Sequence, residues 1–151
     1  MPSPENLEQL ARAIYGLGMV KRDMVRRTGF EPSGGLLPLA MVVRRDGARV
    51  KDIAQALRVD LSVASRQIAA LIDAGYIERA ADPHDGRAAV LHATRKGRAA
   101  LKRAHERIVR AYSEALADWS DEDVATLTRL TERLRADYER SISAVPEEVA
   151  A

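Results

Sequence analysis

The chain has no cysteine among its 151 residues. That absence removes disulfides, thiolate metal sites and thiol redox sensing together. Aromatic residues are scarce, at 4% with one Trp and one Phe, so a core must be built from Leu, Ile, Val and Ala. No apolar run approaches the roughly 20 residues that a membrane-spanning helix requires. The first residues, MPSPENLEQLARAIYGLGMV, place acids ahead of the apolar positions and lack the basic start and small-residue cleavage site of a secretory leader. The expectation is a cytoplasmic protein with no membrane partner and no cofactor.

What is present is an ordinary globular balance, 46% hydrophobic and 30% charged, which suits a folded chain with one core or one core plus an elongated helical element. The net charge of +2 conceals a segregation. Residues 41–98 carry 11 Lys/Arg against 7 Asp/Glu, whereas residues 119–151 carry 4 against 8. The basic middle therefore suits an anionic partner and the acidic end a different role, although charge runs are usually solvated faces.

Leu7, Leu10, Ile14 and Leu17 recur at helical spacing and predict an amphipathic helix over 5–28. GFEPSGG breaks it, and Pro38 suits the first turn of a second helix ending near Asp46. A short helix over 51–57 follows, with Ile53, Ala54 and Leu57 inward. Then come a three-residue turn, Arg58-Val59-Asp60, and a helix over 61–74 that Asp60 caps and Gly75 ends. Ala54 is small enough for a close helix crossing, and Val59 is expected to plug the angle between the two helices. Residues 76–81 and 88–93 read as strands around DPHDGR, whose six residues predict a solvent-exposed loop. Thr94 starts a long helix with Leu101, Ile108, Tyr112, Ala115 and Trp119 on one face. Ser120 and Asp123 form a capping-box variant for a last helix carrying Val124, Leu127, Leu130, Leu134 and Tyr138. Residues 143–151 are expected to be a flexible tail.

Two helices joined by a tight turn and followed by a hairpin are the plan of a winged helix-turn-helix. With Ile68, Leu71 and Ile72 turned inward, the second helix presents Ser62, Ser65, Arg66 and Ala69. Small side chains permit entry into a major groove, hydroxyls bond phosphate, and an arginine reads guanine edges. Arg87 at the hairpin is suited to a narrow minor groove, and Asp85 lies close enough to orient its guanidinium. The candidate DNA-contacting set is thus Ser62, Val63, Ser65, Arg66, Asp85 and Arg87. The same tip offers Asp82, His84 and Asp85 as metal ligands or acid–base groups, but an acid-rich exposed turn is usually just a turn. No catalytic or metal-binding residue is assigned.

Residues 57–99 resemble the MarR family of bacterial regulators, through Asp60, Arg66, Leu71, Gly75, Asp85-x-Arg87 and Thr94-x-Lys96-Gly97. The resemblance implies a mainly α fold with a small β wing. A winged helix-turn-helix would occupy 36–99, and residues 1–35 with 100–142 would form a helical dimerisation region. It further implies a homodimer on a pseudo-palindromic double-stranded operator, and repression that a small aromatic or phenolic effector relieves. Gly86 stands where the family often has a second arginine, and Ala93 replaces the usual leucine. Arg58 stands where glycine is common, which would cost about 1 kcal/mol if its φ is positive. The competing reading is a winged-helix protein-interaction module that binds no DNA.

Overall fold

The structure is a computed structural model that describes residues 1–143, without the side chains of Arg87 and Ser143. Beyond its first residue, the expected tail lies outside the described residues. The elements are α1 (Pro4–Arg27), α2 (Leu36–Arg44), α3 (Val50–Leu57), α4 (Leu61–Asp73), β1 (Ile77–Asp82), β2 (Asp85–Ala93), α5 (Arg95–Ala115) and α6 (Asp121–Ser143). They fall into two compact units, one from Met1 to Tyr112 and one beginning at Ser113. No helix among the described residues is long and apolar enough to cross a membrane.

In the first unit the core is aliphatic, as the scarcity of aromatics requires. Leu39 and Val42 of α2, Ile53 of α3, Ile68 and Leu71 of α4, Ile77 of β1 and Leu91 of β2 are all buried and packed together. Ala54 is buried at 5% exposure, and α3 packs against α4. Val59, expected inside that angle, is instead exposed at 37%. Arg58 before it adopts the left-handed conformation, φ 53° and ψ 48°, and ends α3. The Val59 N–H bonds back to the Ala54 carbonyl at 3.1 Å, so the backbone closes the turn without a side-chain plug.

Asp60 is the N-cap of α4, but its side chain makes no capping hydrogen bond. Its contribution is then its charge at the positive helix end. At the other end Gly75 has φ 73°. Its N–H bonds the Ile72 carbonyl at 2.8 Å, and the Tyr76 N–H bonds that of Leu71 at 2.9 Å. This pair of bonds is the Schellman arrangement, which needs a residue without a Cβ penalty at that point.

β1 and β2 pair antiparallel from Ile77 opposite Ala93 out to Asp82 opposite Asp85, and Ala48 adds an isolated bridge to Leu91. The expected six-residue loop is therefore corrected. Only Pro83 and His84 lie between the strands, because the Asp82 side chain closes the turn by accepting from the His84 N–H at 2.8 Å. Arg87 accordingly lies within β2.

α5 stops at Ala115, so Trp119, expected on its face, lies in the connection instead. Ser120 caps α6 as predicted. Its hydroxyl accepts from the Asp123 N–H at 3.1 Å, and the Asp123 carboxylate accepts from the Ser120 N–H at 3.2 Å. α6 continues through Ser143, past the expected boundary at 142.

Candidate nucleic-acid interface

α4 is two-faced. Ala64, Ile68 and Leu71 are buried, while Ser62, Arg66 and Ala69 are exposed and Val63 and Ser65 are half-buried. Among the described residues the side chains of Ser62, Ser65 and Arg66 have no hydrogen-bonding or ionic partner. A helix face of small side chains and unengaged polar groups is free to bond something else. It sits beside the tight turn from α3, and α2, α3 and β1 pack against α4.

The hairpin carries the other candidates. The side chain of Arg87 lies outside the described residues, so its pairing with Asp85 is not part of this geometry. Asp85 Oδ2 lies 3.5 Å from an Nη of Arg49. The same Nη is 2.5 Å from Asp82 Oδ2, and Arg49 Nε is 3.0 Å from that oxygen. Asp82 is nearly buried, at 9% exposure, and the Arg49 side chain is a third exposed. The His84 N–H, first, and the Arg49 guanidinium, second, hold the Asp82 carboxyl below its ordinary value. Hydrogen bonding and charge from Asp82 in turn raise Arg49. Asp82 is thus a structural anion, and the metal-ligand reading of the tip loses its most protected carboxylate.

Sequence reasoning missed Arg49, since 33 residues separate it from Asp82 and neither period nor spacing connects them. It also missed the reason for Thr94-x-Lys96-Gly97. Thr94 Oγ1 donates to the Gly75 carbonyl at 2.7 Å and accepts from the Gly97 N–H at 3.0 Å, so it caps α5 while holding the end of α4. Lys96 Nζ donates to the Ala74 carbonyl at 2.7 Å and stands 5.3 Å from the centre of the Tyr76 ring. A Cβ at Gly97 would lie 2.1 Å from the Tyr76 carbonyl oxygen. The motif joins the end of the exposed-faced helix to the start of α5, and only glycine fits the crossing. His92, expected at the surface, is about one third exposed, its Nδ1 3.0 Å from Asp46 Oδ1.

Comparison with known proteins agrees with this arrangement. The MarR family pattern matches residues 39–88. The HTH-type transcriptional regulator YxaD of Bacillus subtilis is 32% identical over 113 residues, which cover 75% of this chain and 79% of that protein. A MarR family protein from Bacillus stearothermophilus superposes with a TM-score of 0.81 at 13% identity, covering 92% of this chain and 99% of the other. The regulator PcaV of Streptomyces coelicolor, solved with its natural ligand, gives a TM-score of 0.68 at 20% identity, over 90% of this chain and 98% of its own. The six helices among the described residues, the wing and the matched sequence identify the chain as a member of the MarR family, DNA-binding transcriptional regulators of winged-helix architecture.

Proposed function

We propose that the protein is a homodimeric repressor that places α4 in the major groove of each half of a pseudo-palindromic operator. The observation that carries this reading is the exposed face of α4, where Ser62 and Arg66 stand without partners among the described residues, beside the small Ala69. Ser62, Val63 and Ser65 allow close approach and phosphate bonding, and Arg66 reads a guanine. Arg87 enters the adjacent minor groove, with Asp85 beside it on the wing.

Dimerisation is supported by the apolar stripes that one chain leaves uncovered. Leu7, Leu10, Ile14 and Leu17 of α1 are 42–51% exposed, and Val124, Leu127, Leu130 and Leu134 of α6 are 39–47% exposed. Contiguous faces of this size mark interfaces. The two recognition helices would then sit about 34 Å apart, one turn of DNA.

An effector has a place to bind in the first unit. A cavity of about 310 Å³ is lined by Lys21, Met24, Leu36, Leu37, Ile108 and Tyr112 among others. Apolar walls with one ammonium group suit a small aromatic carboxylate or phenolate. Occupancy between α1, α2 and α5 would favour a spacing of recognition helices that DNA does not match.

The test is selection of bound duplexes from random sequence, followed by affinity against salt. A two-fold site and a steep fall of log affinity with log salt are expected. Failure to enrich any duplex would leave the protein-interaction module as the function of the fold. Phenolic acids titrated into the protein–operator complex test release.

A further inference from the structure

A two-stranded hairpin is marginally stable alone, and this one is held at two heights. Near its base, the Leu91 N–H donates to the Ala48 carbonyl at 2.9 Å and the Gly47 N–H to the Leu91 carbonyl at 3.0 Å. At its tip, the Arg49 guanidinium bonds Asp82, the last residue of β1, and stands 3.5 Å from Asp85, the first of β2. Arg49 is itself seated at the N-cap of α3, where its N–H donates to Asp52 Oδ2 at 2.9 Å. One side chain therefore fixes both strand ends relative to the helix pair that carries the recognition face. It does so from a partly buried position, unlike the i,i+4 pairs on α1 and α6, which are screened by water.

We propose that Arg49 is a positioning residue for DNA recognition, holding the wing tip and thereby Arg87 at the height of the neighbouring minor groove while contacting no base itself. This rests on the reading of the wing as a minor-groove element. Without the clamp, the tip samples orientations that must be lost on binding, and preorganisation removes that cost. Lysine at this position keeps the charge but not the fork of donors that reaches two carboxylates, so it should restore only part of the effect.

The test uses the full chain and an operator obtained by the selection above. Arg49→Ala is expected to weaken binding about tenfold, the size of one charge-assisted hydrogen bond. Hydroxyl-radical protection should be lost beneath the flanking minor grooves and kept over the major-groove half-sites. Arg49→Lys should be intermediate. Asp82→Asn, which removes the carboxylate that Arg49 bonds and leaves only the more distant Asp85, should reproduce the loss confined to the flanks and serves if Arg49→Ala does not fold. In an Arg87→Ala background the further loss from Arg49→Ala should fall below about twofold, because the two residues act through one contact. Full additivity in that cycle, or unchanged flank protection in Asp82→Asn, overturns the proposal. Amide hydrogen exchange in the free protein separates this from the reading beneath it. Faster exchange over 80–90 with α4 unchanged supports the clamp even if the parent binds no duplex, an outcome that would instead overturn the DNA-docking reading.

Discussion

Arg66 leaves the exposed face of α4 with no ionic partner among the described residues, so truncating it removes no intrachain bond. Arg66→Ala should leave the melting temperature unchanged and cost about 1–3 kcal/mol of operator binding, with relaxed preference at one base pair. Unchanged affinity on the selected operator would exclude a role in base readout. Gly97 is the opposite case, legible as a motif residue but explained only by what it touches. A methyl group there would meet the Tyr76 carbonyl oxygen at 2.1 Å, and backbone cannot move aside as a flexible side chain can. Gly97→Ala should destabilise the fold by at least the upper part of the about 1–3 kcal/mol that overpacking costs, read by urea unfolding. A loss under about 0.5 kcal/mol would mean that α5 slides away from Tyr76 freely.

Among elements, the wing shows what sequence can and cannot convey. The inward residues of α4 follow from a period of 3.6, and the end of the helix follows from Gly75, because both depend on neighbours within a turn or two. The strands were also legible, but their ends were not. The turn at Pro83 and His84 is closed by Asp82, which Arg49 engages from the N-cap of α3, 33 residues earlier in the chain. The inward placement of Val59 failed for a related reason, since the backbone at Arg58 closes the turn without it. Of the outward face expected for α4, Ser62, Arg66 and Ala69 are exposed and Ser65 is half-buried, whereas Arg49 has no local signature. The clamp has a pH signature. A carboxyl held below its ordinary value of 3.8 contributes stability above that value, and the contribution disappears as pH falls through the lowered one. Melting temperatures of the parent and Asp82→Asn should therefore differ at pH 6 and converge as the pH is taken below about 4. A gap that persists unchanged to pH 3 would mean that Asp82 acts through shape and not charge.

For the whole molecule the decisive quantity is the apolar surface that one chain leaves in water. α1 has no buried residue, and its stripe from Leu7 to Leu17 would waste the amphipathic pattern if it faced solvent permanently. Glycines at 16 and 18 add to this. Nothing lies within 4 Å of the position a Cβ would take at either, and each glycine in a helix interior costs about 0.5–1 kcal/mol relative to alanine. The acidic surplus of the C-terminal segment would repel phosphate, which fits a role for its leucines at another protein surface. An interface between copies built on these stripes would be obligate and bury on the order of 2,000 Å², and its melting temperature should rise with protein concentration. Leu130→Glu on α6 should then shift sedimentation from dimer toward monomer, lower the melting temperature and weaken operator binding more than any single contact residue. The last effect follows because a lone subunit engages one half-site and loses the second as an intramolecular event. A parent that sediments as a monomer at micromolar concentration and still binds a two-fold operator with one-to-one stoichiometry would remove dimerisation from the account while leaving the winged-helix interface standing.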